Sequence, residues 1–186
     1  ARANGVPPPN PEDAPIPGAI MTTPLFHVTA NNCGAYLITY AGGKMVHTYR
    51  WDAGEALELI ERERLTSIGG VPVMARELLT HPDFETRDIS SLTGISGGGA
   101  QFQPDLVDKV DKLGKGARPS TGYGMTETCG LSTANSSVGF KPGTIGRPAD
   151  YNEVRIDADT SEFCVRGKNV FRGYLNQPEK TAETID

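Results

Sequence analysis

Leu65-Thr66-Ser67-Ile68-Gly69-Gly70-Val71-Pro72 is the stretch on which the fold turns. A short apolar strand runs into two glycines. Pro72, with its fixed φ and missing N–H, suits the first turn of a helix, which is expected over 73–79 and stops at His81-Pro82. Thr93-Gly94-Ile95-Ser96 repeats the strand and breaks into Gly97-Gly98-Gly99-Ala100, after which Gln103-Pro104-Asp105 opens a helix over 106–113, ended by Gly114 and Gly116. The same rhythm runs upstream. A strand over 44–49 precedes Asp52, an N-cap with Glu55 as its capping-box partner, and Ala56, Leu57, Leu59 and Ile60 form the apolar stripe of the helix that follows. The Glu61-Arg62-Glu63-Arg64 run reads as its solvated end. Strand and helix alternating through short glycine joints are the pattern of βαβ units. The expected fold class is therefore α/β: a wound, largely parallel sheet flanked by helices.

Outward from this centre the texture changes. Residues 1–18 read as a Pro-rich linker, because Pro7-Pro8-Pro9 and Pro15-Ile16-Pro17 deny the backbone both helix and ladder bonds. A strand running into a loop over 19–28 and a helix over 31–41, stopped by Gly42-Gly43, begin an α/β unit that extends to 148. From 149 to 186 the chain reads as the beginning of a small β-rich subdomain. Strands over 152–156 and 162–166 alternate, 169–174 continues in that style, and Pro178 starts a helix.

The chain has 186 residues and a formal net charge of −5. No basic stripe is present to neutralise phosphates along a strand, so no nucleic-acid partner is expected. Cys33, Cys129 and Cys164 are odd in number, widely spaced and lack a CxxC pair, which speaks against a disulfide framework or zinc site and for a reducing, cytoplasmic setting. No apolar run approaches bilayer length, so no membrane span is expected. Nothing in the sequence fixes an oligomeric state.

Two glycine-rich segments fall where strands should end: Gly97-Gly98-Gly99-Ala100 and Pro119-Ser120-Thr121-Gly122-Tyr123-Gly124-Met125-Thr126-Glu127-Thr128. In an open α/β sheet, ligands sit beyond the carboxyl ends of the strands. In the second segment the glycines free the backbone to turn and approach a ligand, Tyr123 offers a flat face, Thr126 a hydroxyl, and Glu127 a hard oxygen for Mg²⁺. Neither segment is a Walker loop or a GxGxxG fingerprint. On spacing alone, ligand-free tight turns fit as well. His47, His81, Trp51, Cys33 and Cys129 read as structural residues.

Thr121 to Glu127 resembles the signature of the acyl-adenylating superfamily, which comprises acyl-CoA synthetases, peptide-synthetase adenylation domains and luciferases. Four further segments resemble others of the family in order: Pro24-Leu25-Phe26-His27-Val28, Ser96 to Ala100, Pro142 to Pro148, and Val165 to Tyr174 with Pro178-Glu179-Lys180-Thr181. The texture is most similar to the fatty-acid–CoA ligase branch.

The resemblance implies ATP, Mg²⁺ and coenzyme A as co-substrates and a small-molecule carboxylic acid, expected to be a fatty acid. The acid is activated as acyl-AMP and then passed to the CoA thiol. It also implies roles. Gly98, Gly99, Ala100 and Gln101 would lie along the adenine and the adenylate. Thr121, Gly122, Tyr123, Gly124 and Met125 would frame the adenine. Thr126 would hold the α-phosphate and Glu127 would ligate Mg²⁺. His27, Thr29 and Gly97 would line the substrate entrance. The family's phosphate loop, ribose-binding aspartate and catalytic lysine fall outside this stretch, so the stretch alone is expected to be inactive. The segments near 136–138 and 157–162 are shorter than the family's. Two alternatives stay open: a stand-alone nucleotide-binding α/β module without catalysis, and an oxidative luciferase-like enzyme using the same loops.

Overall fold

Ile20, Ile68 and Ile95 stand in register across three neighbouring strands, with Val46 before them and Pro119 after. The computed structural model describes residues 16–100, 103–112, 118–135 and 141–185. Nearly all of the expected linker, together with Gln101 and the short segment at 136–138, lies outside them. The strands are β1 (Gly18–Met21), β2 (Lys44–His47), β3 (Ser67–Gly70), β4 (Gly94–Gly97), β5 (Arg118–Met125), β6 (Gly130–Asn135) and β7 (Arg147–Pro148), in the order β2-β1-β3-β4-β5-β6-β7. The pairs from β2 through β5 are parallel; β5–β6 and β6–β7 are antiparallel.

Successive strand residues point to opposite faces, so the register sorts the sheet into two surfaces. The isoleucine row faces the crossover helices. These are α3 (Ala53–Glu63), α4 (Pro72–Thr80) and α5 (Pro104–Lys112), which contribute Leu57, Ile60, Leu78, Leu106 and Val110 to one buried cluster with the three isoleucines. Met21, Gly69, Ser96 and Ser120 form the adjacent row on the other face, where small side chains leave room. That face is met by a helical run made of α1 (Val28–Ala30), a π-helical turn (Asn31–Ala35) and α2 (Tyr36–Tyr40). A Cβ on Gly34 would lie 3.0 Å from Met21 Sδ, so the run seats directly on β1.

Local rules account for most helix ends. Asp52 accepts from Glu55 N at 2.9 Å, and Pro72 occupies the first turn of α4. Arg64 closes α3 at φ +51, where glycine is usual; its guanidinium is held by Asp88 at 2.8 Å and Ser90 at 3.2 Å. His81 Nδ1 accepts from Asp83 N, capping a 3-10 turn at Pro82–Glu85.

Several expectations are corrected. The first strand ends at Met21 and runs into a loop whose turn at 24–27 brings His27 round to cap α1; the helix therefore begins at Val28, not at 31. The stretch 121–127 is largely strand, not loop. Beyond the large sheet, β8 (Asn152–Ile156) and β9 (Phe163–Gly167) form an antiparallel hairpin, followed by α6 (Pro178–Thr184). Its connection is short because Asp157 organises it, Oδ1 accepting from Asp159 N and Thr160 N. Residues 169–174 are not a third strand of that hairpin. Their backbone and side chains turn instead to the short turn at Thr126–Thr128 that follows β5.

Candidate functional site

A cavity of about 900 Å³ opens beyond the carboxyl ends of β1, β3, β4 and β5, on the small-residue face of the sheet. Its floor includes Gly69, Ser96 and Ser120, and one wall is the helical run from Val28. His27, Thr29, Gly97, Gly98, Gly99, Thr121, Gly122, Gly124, Met125, Thr126 and Glu127 all line it, so residues more than ninety positions apart converge as expected from the sequence. Ala100 does not join them. It lines a separate pocket of about 330 Å³ with Val71, Pro72 and Arg76. Tyr123 is also outside the cavity lining, its ring edge-on to Phe163 with centroids 5.0 Å apart.

The two glycine segments owe their glycines to different causes. A Cβ on Gly98 would meet nothing within 4 Å, so open space toward the cavity is what stands there; Gly99 needs its φ of +75. Gly122 and Gly124 are demanded by β6. A Cβ on either would overlap the Thr133 or Gly130 carbonyl oxygen, and the β5–β6 register shifts between Tyr123 and Gly124. These glycines are needed for strand pairing, and they line the cavity as well.

His27 lines the cavity mouth as the N-cap of α1. Its Nδ1 accepts from Thr29 N at 3.1 Å, which leaves the ring proton on Nε2 as a donor. The π turn that follows was not legible in the sequence. It places Asn32 to donate to Cys129 O at 3.1 Å and sets Cys33 Sγ against Gly130, whose φ is +114, tying the helical wall to the start of β6. Burial pushes the Cys33 thiol pKa up, as suits a packing residue.

Met125 ends β5, and Thr126–Thr128 form a 3-10 turn on the cavity rim. Thr128 is buried, its hydroxyl accepting from Ser132 Oγ at 2.9 Å and donating to Gly130 O at 3.1 Å. Thr126 is exposed. The Glu127 side chain is the one carboxylate among the described lining residues, and Tyr174 donates to its Oε1 at 2.6 Å. That bond, then a backbone N–H and the charge of Lys180, hold Glu127 below the ordinary glutamate pKa. The same bond raises the pKa of Tyr174.

No group of three or more His, Cys, Asp or Glu that could cage a metal occurs among the described residues. A single hard carboxylate on an open rim suits Mg²⁺, which keeps several waters and is bound through one or two carboxylates plus substrate phosphates. Tyr174 and Asn169 were missed as site residues. The signal was present in the Val165–Tyr174 motif, but a strand reading gave its side chains no target.

The family described as AMP-binding enzyme matches residues 12–175. A feruloyl-CoA synthase from an Amycolatopsis species is 33% identical over 178 residues, covering 90% of this chain and 36% of that protein. 4-coumarate–CoA ligase 2 of Oryza sativa subsp. japonica is 32% identical over 183 residues, covering 90% and 32%. The N-terminal domain of FACL13 from Mycobacterium tuberculosis superposes with a TM-score of 0.81 at 24% identity, over 94% of this chain and 46% of that one, and shares the fold. O-succinylbenzoate coenzyme A synthetase (MenE) from Bacillus subtilis, solved with ATP and a magnesium ion, gives a TM-score of 0.77 at 26% identity, over 91% and 37%. The chain thus spans about a third of the length of the curated relatives it matches.

Proposed function

The chain belongs to the AMP-binding enzyme family, and from that premise we propose that the protein carrying it is an ATP-dependent acid–CoA ligase. The reading rests on one observation above the others. Thr126 and Glu127, a hydroxyl and the one carboxylate among the described lining residues, stand on the rim of a roomy cavity at the carboxyl ends of the parallel strands.

In the proposed reaction a substrate carboxylate attacks the α-phosphorus of ATP. Pyrophosphate leaves with its electron pair, and the acyl-AMP formed is then attacked by the CoA thiol, releasing AMP. Thr126 donates to an α-phosphate oxygen, and Glu127 is the protein ligand of Mg²⁺. The ion supplies charge neutralisation at the phosphates. His27, with its Nε2–H, and Thr29 orient the carboxylate at the entrance. The backbone of Gly97–Gly99 and of Thr121–Gly122 borders the nucleotide, where Gly98 leaves space. Positioning and fixed dipoles carry the work.

Residues 19–148 are proposed to form the α/β unit that holds the cavity, and 149–186 a β-rich unit that braces its rim. This stretch supplies one wall of the site, not the whole activity. No helix among the described residues is long and apolar enough to cross a membrane, and with three free cysteines a cytoplasmic setting is proposed.

The acid is proposed to be larger than acetate, since small residues at Gly69, Ser96 and Gly97–Gly99 leave the cavity uncluttered. An aromatic propenoic acid, the class that the names of the feruloyl and coumarate relatives carry, heads the panel; a fatty acid, the class expected from sequence texture, is second. The full-length protein should form acyl-CoA with ferulate or coumarate, in a chromatographic assay that also includes palmitate and acetate. Preference for acetate, or acid-dependent release of pyrophosphate with no thioester on adding CoA, would contradict the reading.

A further inference from the structure

The motif at 165–181 has no part in the chemistry proposed above, yet its side chains close on the metal carboxylate. The 3-10 turn Thr126–Thr128 is gripped from outside at three points. Phe171 N donates to Glu127 O at 2.8 Å, Asn169 Nδ2 donates to Thr128 O at 2.8 Å, and Tyr174 Oη donates to Glu127 Oε1 at 2.6 Å.

Resting on the metal role given to Glu127, we propose that Tyr174 is its positioning residue: the phenol pins one carboxylate oxygen and so presents the other to Mg²⁺. The phenol is itself fixed by contacts that do not involve Glu127. Its ring meets Phe171 edge-on at 4.8 Å, and Lys180 Nζ lies 4.4 Å over its face. Tyr174 N donates to Thr181 Oγ1 at 2.9 Å, and that hydroxyl donates to Gln177 O at 2.9 Å. Gly173, at φ +138, lets the chain pass Thr181, whose Cγ2 would lie 2.5 Å from any Cβ there. A glutamate held by one oxygen has lost its rotamer freedom before the ion arrives. Metal binding then costs less ordering, by an amount worth about tenfold in affinity.

The test uses the full-length protein with a non-hydrolysable ATP analogue and Mn²⁺ as a paramagnetic probe, read by electron paramagnetic resonance. Tyr174→Phe keeps the ring contacts and removes only the hydroxyl. It should weaken Mn²⁺ binding in the presence of the analogue by about tenfold and raise half-saturating Mg²⁺ for adenylation in parallel. Affinity for the analogue without metal and the melting temperature should not move. In a Glu127→Gln background the same change should have no further effect on Mn²⁺ binding. If Glu127→Gln weakens the metal and Tyr174→Phe does not, this proposal falls while the metal role stands. If Glu127→Gln leaves Mn²⁺ binding intact, both fall. If Tyr174→Phe lowers the melting temperature and analogue binding together with the metal, Tyr174 is a packing residue and the proposal is overturned.

Discussion

Replacing Glu127 by Gln in the full-length protein is expected to lower Mg²⁺-dependent adenylation by about a hundred- to a thousandfold, the range seen when one group aimed at transition-state charge is removed. The change is close to isosteric. The amide oxygen can still accept from Tyr174, and Glu127 O keeps its bond from Phe171 N, so the turn at Thr126–Thr128 is retained. What is lost is the only carboxylate among the described residues that line the cavity. Stability should change by no more than about 0.5 kcal/mol, as for a surface substitution that disturbs no packing. Pyrophosphate release measured across a Mg²⁺ titration, with a denaturant melt beside it, reads both halves of the expectation. Unchanged kinetics would place the metal on another residue.

Gly124→Ala is expected to do the reverse, failing in structure before it fails in chemistry. A Cβ there would overlap Gly130 O and come within 3.0 Å of Leu131 Cα, so the obstacle is the backbone of β6 and no side-chain rotation relieves it. β5 and β6 must part where their register already shifts between Tyr123 and Gly124. The cost should exceed about 3 kcal/mol, the upper end of ordinary overpacking. Because both strands line the cavity, nucleotide binding should be lost with it. Gly98→Ala is the matched contrast. Nothing lies within 4 Å of its Cβ position, so stability should hold while affinity for a nucleotide analogue falls. Urea midpoints and analogue titration on both variants would show it; equal stability of the two would contradict this account of the glycines.

The two glycine segments also show where sequence reading succeeds and where it stops. Ile68 and Ile95 at strand centres, Pro72 and Asp52 at helix starts, and the stripe through Leu57 and Ile60 are local signals, and each lies where its period and caps put it. β5 is different. Pro119, Gly122 and Gly124 argue against a strand by propensity, yet Pro119 is fully buried and the glycines are what let β6 approach. That information resides in the partner strand. The partner, Gly130–Asn135, has a small and polar sequence that announces nothing by itself. The π turn at Asn31–Ala35 likewise answers to Cys129 and Gly130, far along the chain.

The candidate site was legible to the extent that it is written in contiguous motifs. His27, Gly97–Gly99, Thr121, Thr126 and Glu127 do converge on one cavity. Tyr123 turns to Phe163 instead, because the hairpin β8–β9 lies on its side of the sheet. Tyr174 reaches Glu127 across 47 positions, a contact that no local period encodes.

The central claim is that the cavity activates an acid on ATP, and isotope exchange tests it most directly. With the full-length protein, labelled pyrophosphate should enter ATP only when both the acid and Mg²⁺ are present, and without any need for CoA. Exchange that ignores the acid, or ATP hydrolysis in place of exchange, would contradict it.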